Sequence, residues 1–274
     1  PPDAAADDIG GHLHHAQPPP GNDEINDTLK DHPRQIQQQG LDQNLGVRAE
    51  PAQLEGIDEV VLATGVAPRT PDIEGIENEK VLSYIDVLRD NREVGRRVAI
   101  IGAGGIGFDI SEFLGEPVHE GPEFPTPEEF ASQWGIDMSL SAQGGVAGVT
   151  AEPETLEREI WLLQRKASKP GKGLGKTTGW IHRLSLRKRG VKMLAGVQYK
   201  RIDEFGLHIE QDGKPRLLEV DNVIICAGQL PRRDLLEPLK SAGVRVHLIG
   251  GADVAAELDA KRAIRQGSEL AAEI

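Results

Sequence analysis

Three glycines in the chain have the spacing of a phosphate-binding turn. Gly102, Gly104 and Gly107 form a G-x-G-x-x-G pattern directly after an apolar, strand-like run at 97–101 (RVAII) and before a helix-like stretch at 105–115. In such a unit the first glycine allows a tight turn, the second lets the backbone approach a pyrophosphate, and the third lets the helix pack on the strand. The helix N-terminus attracts the anion. A plain glycine turn is the alternative. The predicted dinucleotide-binding loop consists of Gly102, Ala103, Gly104, Gly105, Ile106 and Gly107.

A run of cations follows the second predicted strand of the same unit, which we place at 159–164. In a dinucleotide-binding fold the end of this strand lies beside the adenosine ribose, where an acid would bind the 2′-hydroxyl of NAD. Cations instead suit the 2′-phosphate of NADP, because an arginine donates charge-assisted hydrogen bonds to it. NADPH is therefore predicted over NADH, and a solvated basic loop is the alternative. The predicted contacts are Arg165, Lys166, Ser168 and Lys169.

The same loop, KASKPGKGLGKTT (166–178), ends like an ATP-binding Walker loop. The Walker pattern G-x-x-x-x-G-K-[ST] requires a glycine five residues before Gly175, and that position holds Pro170. Proline fixes φ and has no N–H to offer a phosphate. An NTPase is therefore disfavoured.

Short apolar runs alternate with helix-like stretches along most of the chain. The strand-like runs are 59–63, 97–101, 160–163 and 222–226, and the helix-like stretches are 105–115, 179–189 and 256–273. This alternation predicts an α/β fold with a parallel sheet and helices on both faces.

An internal repeat indicates two such units. Residues 58–69 (DEVVLATGVAPR) and 221–232 (DNVIICAGQLPR) share an acid, a buried strand, small residues and a G-x-x-P-R turn, although chance recurrence is the alternative. Each unit would send its last strand into a turn that leaves the unit. Residues 116–157, rich in Glu, Pro and Gly, are predicted to be an insertion.

Charge and composition exclude several classes of function. Lys and Arg total 31 against 44 Asp and Glu, and the net charge of −13 disfavours nucleic acid as a partner. The single cysteine, Cys226, excludes an internal disulfide, and it suits a reducing compartment such as the cytoplasm. No apolar run approaches the roughly 20 residues of a membrane span. Because the chain begins with Pro1 rather than Met, we expect it to be a piece of something longer.

Six longer motifs resemble those of one enzyme family. They are VLSYIDVLRD (81–90), VAIIGAGGIGFD (98–109), WGIDMSL (134–140), LLQRKASKPGKGLGKTTGWIHR (162–183), VDNVIICAGQLPRR (220–233) and HLIGGADVAAELDAKRAI (247–264). On these motifs the chain resembles the C-terminal FAD- and NADPH-binding portion of the bacterial-type NADPH-dependent 2,4-dienoyl-CoA reductases, which are relatives of Old Yellow Enzyme and trimethylamine dehydrogenase. The resemblance covers most of 57–274.

The resemblance implies two Rossmann-like units, with an NADPH unit inserted in an incomplete FAD unit. The implied bounds are 1–80 for the first part of the FAD unit, 81–235 for the NADPH unit and 236–274 for the closing segment of the FAD unit. It also implies a barrel domain, on a missing part of the protein or on another chain, that carries FMN, an iron–sulfur cluster and the substrate site. That barrel is the expected partner; neither nucleic acid nor a membrane is expected.

The resemblance also implies where FAD would lie, although the usual FAD glycine fingerprint is absent from the sequence. Asp3 would bind the FAD ribose, and Gly10 and Gly11 would form the turn beside the flavin. Asp253 would meet the ribityl and phosphate groups, with a helix cap as its alternative role. Further implied contacts come from the ends of the two repeats and from the late glycine motif, at Ala63, Thr64, Gly65, Gly228 and Gly251.

By this resemblance the chain would pass a hydride from NADPH to FAD, and electrons would then reach an unsaturated fatty acyl-CoA through the barrel. Because the cofactors carry this chemistry, we predict no catalytic side chain and no metal ligand in this chain. Trp180, after the glycine-rich loop, either stacks on the nicotinamide or adenine or packs inside. The alternatives are a non-catalytic nucleotide-binding remnant or scaffold and a related NAD(P)H:flavin oxidoreductase with a different substrate.

Overall fold

A computed structural model of the chain describes residues 8–54, 56–116, 125–152, 156–256 and 260–274, so Asp3 lies outside the described residues. The chain forms two compact units. The outer unit combines the segment up to Pro71 with Ala227–Ile274, and the inserted unit is Asp72–Cys226. The sequence-based boundaries at 80/81 and 235/236 fall later along the chain. At the first boundary the difference arises because Glu74 already bridges to Arg201 within the inserted unit.

The strands in the described residues are β1 Glu59–Leu62, β2 Val66–Pro68, β3 Val81–Ser83, β4 Arg97–Ile101, β5 Glu159–Leu163, β6 Lys192–Leu194, β7 Gln198–Asp203, β8 Gly206–Gln211, β9 Lys214–Leu218, β10 Asn222–Ile225, β11 Gln229–Pro231 and β12 Arg245–Leu248. The α-helices there are α1 Leu13–Ala16, α2 Ile25–Gln38, α3 Tyr84–Leu88, α4 Gly105–Leu114, α5 Pro127–Trp134, α6 Gly179–Lys188, α7 Leu236–Ser241 and α8 Ala260–Glu273.

A five-stranded parallel sheet forms the centre of the inserted unit, in the order β3-β10-β4-β5-β6. Its strands are continuous apolar runs because helices cover the sheet: Ile100 and Leu162 are fully buried, and they share one core with Phe108 of α4 and Leu186 of α6. The predicted α/β fold with a parallel sheet is confirmed. Register places Ile101, at the end of β4, beside Leu163, at the end of β5.

A three-stranded antiparallel sheet, β7-β8-β9, also belongs to the inserted unit. Leu207 and Ile209 of β8 and Leu218 of β9 are buried side chains of this sheet. The sequence-based expectation did not include this sheet. A signal was present, since Asp212 and Gly213 both have positive φ, at 52° and 72°, and make the two-residue turn between β8 and β9 that such a dipeptide favours.

In the outer unit β1 pairs in parallel with β12, and β2 pairs antiparallel with β11. The small core under β1 contains Leu62, Leu236, Leu239 and Val244. The internal repeat corresponds to β1 followed by β2 and to β10 followed by β11. Each copy is therefore a buried strand that turns at a glycine into a second, shorter strand.

The described part of the predicted insertion, 125–152, contains α5. This helix begins at a capping box, in which Thr126 and Glu129 each bond the other's backbone N–H. Trp134 at its end lies under the ammonium of Lys188, 4.3 Å from the ring centroid. No helix in the described residues has the length and apolar character to cross a membrane.

Candidate dinucleotide-binding site

The glycine loop joins β4 to α4 in the inserted unit. Gly102 has φ of 119°, a conformation that favours glycine, and its N–H donates to the carbonyl of Leu163 at 2.8 Å. A Cβ at Gly107 would lie 1.8 Å from the carbonyl oxygen of Gly102. The close packing of helix on strand therefore requires glycine at 107, as the sequence predicts.

The N-terminus of α4 is open. Gly104 caps the helix without any side-chain cap, the first turn carries no acid, and a Cβ at Gly104 or Gly105 would meet no described heavy atom within 4 Å. Free N–H groups with space in front of them suit a pyrophosphate. Ala103 and Ile106 lie on the other side of the loop, where Ala103 is buried and Ile106 packs against the core.

The cationic loop begins directly after β5. Arg165, Lys166 and Lys169 are exposed, Ser168 is half-buried, and none of the three cations has an ion-pair partner in the described part of the chain. Burial raises the pKa of the Tyr199 hydroxyl, and the positive charge of nearby Arg165 offsets part of that effect. The structure thus brings the predicted cations to the end of the second strand.

The far end of this loop is anchored on the glycine loop. Gly171, with φ of 71°, donates its N–H to the carbonyl of Ala103 at 3.2 Å, and its own carbonyl accepts from Arg183 Nη1 at 2.9 Å. A Cβ at Gly171 would lie 2.7 Å from the ring of Phe108. The glycine loop, which would bind the pyrophosphate of NADP, and the cationic loop, which would bind its 2′-phosphate, are therefore fixed to each other.

Asp109, in the helix that follows the glycine loop, is an acid with a perturbed pKa that the sequence-based prediction did not single out. Its pKa is raised to about 6, mainly by burial and further by the negative charge of Glu112, while the nearby His182 lowers it. Glu112 Oε1 in turn lies 2.7 Å from His182 Nδ1. The available signal was an acid two residues after the last glycine, in a helix whose large buried side chains are apolar.

Cys226 and Trp180 differ in their environments. Cys226 follows β10 and packs against the core, and its thiol pKa is raised by burial and by the charge of Asp109, which fits a core residue rather than a reactive thiol. Trp180, at the start of α6, is 55% exposed, so it does not pack inside its unit.

Among the described residues, no group of three or more His, Cys, Asp and Glu side chains could hold a metal ion.

Several residues predicted for FAD meet in the outer unit. A Cβ at Gly251 would lie 2.8 Å from Val66 Cγ1 and 3.2 Å from Gly65, so these two backbone segments approach each other closely. Thr64 Oγ1 donates to the Arg232 carbonyl at 2.6 Å, and Ala63 is exposed at the end of β1. The result is a glycine-lined surface at the carboxyl end of β1.

Gln266 of α8 forms hydrogen bonds with both ends of the segment 250–253. Its Oε1 accepts from the N–H of Gly250 and its Nε2 donates to Asp253 Oδ2, both at 2.8 Å. Since α8 begins at Ala260, Asp253 does not cap that helix. Its carboxylate is held by Gln266 beside the Gly250–Ala252 turn.

Gly10 and Gly11 precede the short helix α1, and His12 links this turn to the same surface. His12 Nδ1 would lie 3.9 Å from a Cβ at Gly65, and His12 Nε2 is 3.5 Å from Gln229 Nε2. Gly228, with φ of 102°, is exposed next to Gln229. The described residues of the outer unit contain no second G-x-G-x-x-G loop between a strand and a helix, so their fit to FAD is partial, whereas the inserted unit has the glycine loop and the open helix N-terminus that a dinucleotide would need.

The chain matches one known protein family over most of its length. Residues 47–262 match the family of pyridine nucleotide-disulphide oxidoreductases. A metal reductase of Desulforamulus reducens is 25% identical over 256 residues, which is 90% of this chain and 36% of that protein. A cinnamate reductase of Clostridium sporogenes is 26% identical over 89% of this chain and 31% of that protein. The chain thus spans about a third of the length of these relatives.

Solved structures show the same fold. The 2-naphthoyl-CoA reductase in complex with 2-naphthoyl-CoA superposes with a TM-score of 0.77 at 22% identity, over 98% of this chain and 35% of that one. Histamine dehydrogenase from Rhizobium sp. 4-9 superposes with a TM-score of 0.68 at 16% identity, over 98% of this chain and 39% of that one.

Proposed function

This chain belongs to the pyridine nucleotide-disulphide oxidoreductase family, and from that premise we propose that it is the NADPH-to-FAD electron-input module of an enzyme resembling the 2,4-dienoyl-CoA reductases. Membership makes the chain a flavin-dependent oxidoreductase module. NADPH as the donor and a dienoyl-CoA as the final acceptor are the proposal. The observation that carries it is the open N-terminus of α4 together with an anchored loop whose cations Arg165, Lys166 and Lys169 have no ion-pair partner among the described residues.

NADPH would bind to the inserted unit through its pyrophosphate and its 2′-phosphate. The N–H groups at Gly104 and Gly105 would receive the pyrophosphate. Arg165 and Lys166 would pair with the 2′-phosphate, because no acid stands at the end of β5 to accept a ribose 2′-hydroxyl. Exposed Trp180 provides an aromatic face for a base or for the nicotinamide.

FAD would be held by the outer unit, at the surface formed by Gly65, Gly251 and Asp253. When both are bound, NADPH supplies a hydride and FAD accepts it. The protein's part is to hold the two nucleotides and to keep the phosphates on backbone N–H groups and cations. Because a Cβ at Gly251 would lie 2.8 Å from Val66 Cγ1, the position requires glycine, and its backbone would face the proposed flavin nucleotide.

The final acceptor is proposed from resemblance and from the names of similar proteins. One neighbour in fold binds 2-naphthoyl-CoA, an acyl-CoA, and one relative is named for cinnamate, an unsaturated acid. A barrel with FMN and an iron–sulfur cluster is the proposed partner, and it would carry electrons to the unsaturated acyl-CoA. We also propose a cytoplasmic location, where a chain with one cysteine would keep it reduced.

An anaerobic reduction experiment tests this proposal. The purified chain, supplied with FAD, is freed of unbound flavin, and its visible spectrum is recorded before and after NADPH or NADH is added without oxygen. We expect a yellow protein that NADPH bleaches faster than NADH at equal concentration. Faster bleaching by NADH would overturn the NADPH assignment.

The second candidate function is a nucleotide-binding remnant. The observation in its favour is that the described residues of the outer unit lack a G-x-G-x-x-G loop between a strand and a helix for FAD. A chain that stays colourless with FAD but binds NADPH in a calorimetric titration would support the remnant and exclude electron input by this chain alone.

A further inference from the structure

The residue directly after β5 is an amide, and its contacts shape the cationic loop. We infer that Gln164 is a positioning residue that determines cofactor specificity: its side-chain amide holds the backbone of Lys166 and Ser168, so that the loop presents cations, and no acid, to a 2′-phosphate. The inference rests on the proposed use of NADPH. It goes further by naming the residue that fixes the loop.

The main chain of Gln164 is held on both sides. Its N–H donates to the carbonyl of Leu194 and its carbonyl accepts from the N–H of Val197, each at 3.0 Å. These bonds extend the ladder between β5 and β6 by one residue. The side chain of Gln164 therefore starts from a fixed point of the sheet rather than from the loop.

The Gln164 side chain forms hydrogen bonds with the backbone of the loop that follows it. Nε2 donates to the carbonyl of Lys166 at 3.0 Å and also to the carbonyl of Ser168. The Lys166 carbonyl accepts a second bond, from the N–H of Gly196 at 3.1 Å. With these carbonyls turned inward, the side chains of Arg165 and Lys166 remain exposed and free of ion pairs with the described residues.

The position of the Gln164 side chain requires a hydrogen-bond donor, and a carboxylate does not fit it. Both partners of Nε2 are carbonyl oxygens, so a donor is required there. A glutamate would place a carboxylate oxygen against two carbonyl oxygens and would add a negative charge beside the proposed 2′-phosphate. The same glutamate would be an acid at the end of the second strand, which is the feature that binds the ribose 2′-hydroxyl of NAD.

The test is a binding measurement, independent of flavin and of turnover. The variants are Gln164→Glu, Gln164→Ala, and Gln143→Glu as a control that makes the same charge change at an exposed position of the same unit. Calorimetric titration of the full-length chain with NADPH, NADH, adenosine 2′,5′-bisphosphate and ADP gives the affinities. The last two ligands report the 2′-phosphate without the nicotinamide.

We expect the ratio of NADPH to NADH affinity to fall about tenfold or more in Gln164→Glu and about threefold in Gln164→Ala, and to stay unchanged in Gln143→Glu. The preference for adenosine 2′,5′-bisphosphate over ADP should fall in parallel. A merely structural role would weaken all four ligands together and leave the ratios unchanged, and that result would overturn the inference. If Gln164→Glu fails to fold, judged by circular dichroism, the ratio in Gln164→Ala decides. A wild-type chain without preference for NADPH would instead refute the proposed function.

Discussion

At the residue scale, two glycines of the same loop should respond oppositely to a methyl group. A Cβ at Gly107 would lie 1.8 Å from the carbonyl oxygen of Gly102, while one at Gly104 would meet no described heavy atom within 4 Å. We expect Gly107→Ala to lower the free energy of unfolding by about 2 kcal/mol or more. Gly104→Ala should change it by less than about 0.5 kcal/mol but weaken NADPH binding about tenfold, because the methyl takes the place of the pyrophosphate.

Urea unfolding and calorimetric titration separate these two effects. The expected pattern is a destabilised Gly107 variant and a stable Gly104 variant that binds NADPH weakly. Unchanged NADPH affinity in Gly104→Ala would show that the anion does not lie at the N-terminus of α4.

Asp109 should make stability depend on pH. Its pKa is raised from the usual 3.8 to about 6, first by burial and then by Glu112, so the folded chain favours the protonated carboxyl. The folded state therefore binds more protons than the unfolded state between these values, and stability falls as pH rises through this range. The loss is complete above pH 6, and it amounts to at most about 3 kcal/mol.

The variant Asp109→Asn removes this contribution. We expect its free energy of unfolding, measured in urea at pH 4.5 and pH 7.5, to fall less over that interval than that of the wild type. Asp72→Asn, at an exposed position, is the matched control and should follow the wild type. Parallel pH dependence in Asp109→Asn and the wild type would show that the carboxyl is not buried in the folded chain.

At the element scale, the sequence predicted correctly those elements that a local pattern of residues determines. The strand β4, the glycine loop and the start of α4 follow from an apolar run and a fixed glycine spacing, and β5 ends within one residue of its predicted end. The roles of Gln164 and Asp109 could not be predicted in this way. They depend on which carbonyls and charges come near in space, which no spacing rule encodes. The β7-β8-β9 sheet was missed despite its Asp212–Gly213 turn.

Helix α6 should matter for NADPH through one arginine. Arg183 Nη1 donates to the Gly171 carbonyl at 2.9 Å and so fixes the far end of the cationic loop. We expect Arg183→Ala to weaken NADPH binding about threefold or more, because a loose loop must be ordered on binding. Arg187→Ala, at an exposed position of the same helix, removes the same charge and should have a smaller effect in the same titration. Equal losses in both variants would mean that charge, and not loop anchoring, is responsible.

At the scale of the whole molecule, the inserted unit contains every residue that we propose for binding NADPH. The unit is continuous in sequence, from Asp72 to Cys226, and its parallel sheet is complete within those bounds. The described residues of its main core lie between Leu82 and Cys226. The glycine loop, the cationic loop and Gln164 all lie in this unit.

The fragment 72–226 should therefore fold alone and bind NADPH. We expect one cooperative transition in urea and an NADPH dissociation constant within about threefold of that of the full-length chain, since each proposed contact is retained. The variant Arg165→Ala, made in both forms, should weaken binding equally in the two, which ties the measured affinity to the cationic loop. A fragment that unfolds cooperatively but binds NADPH more than about tenfold weaker than the full-length chain would show that the outer unit supplies part of the nucleotide site. The proposed division of the two nucleotides between the two units would then be wrong.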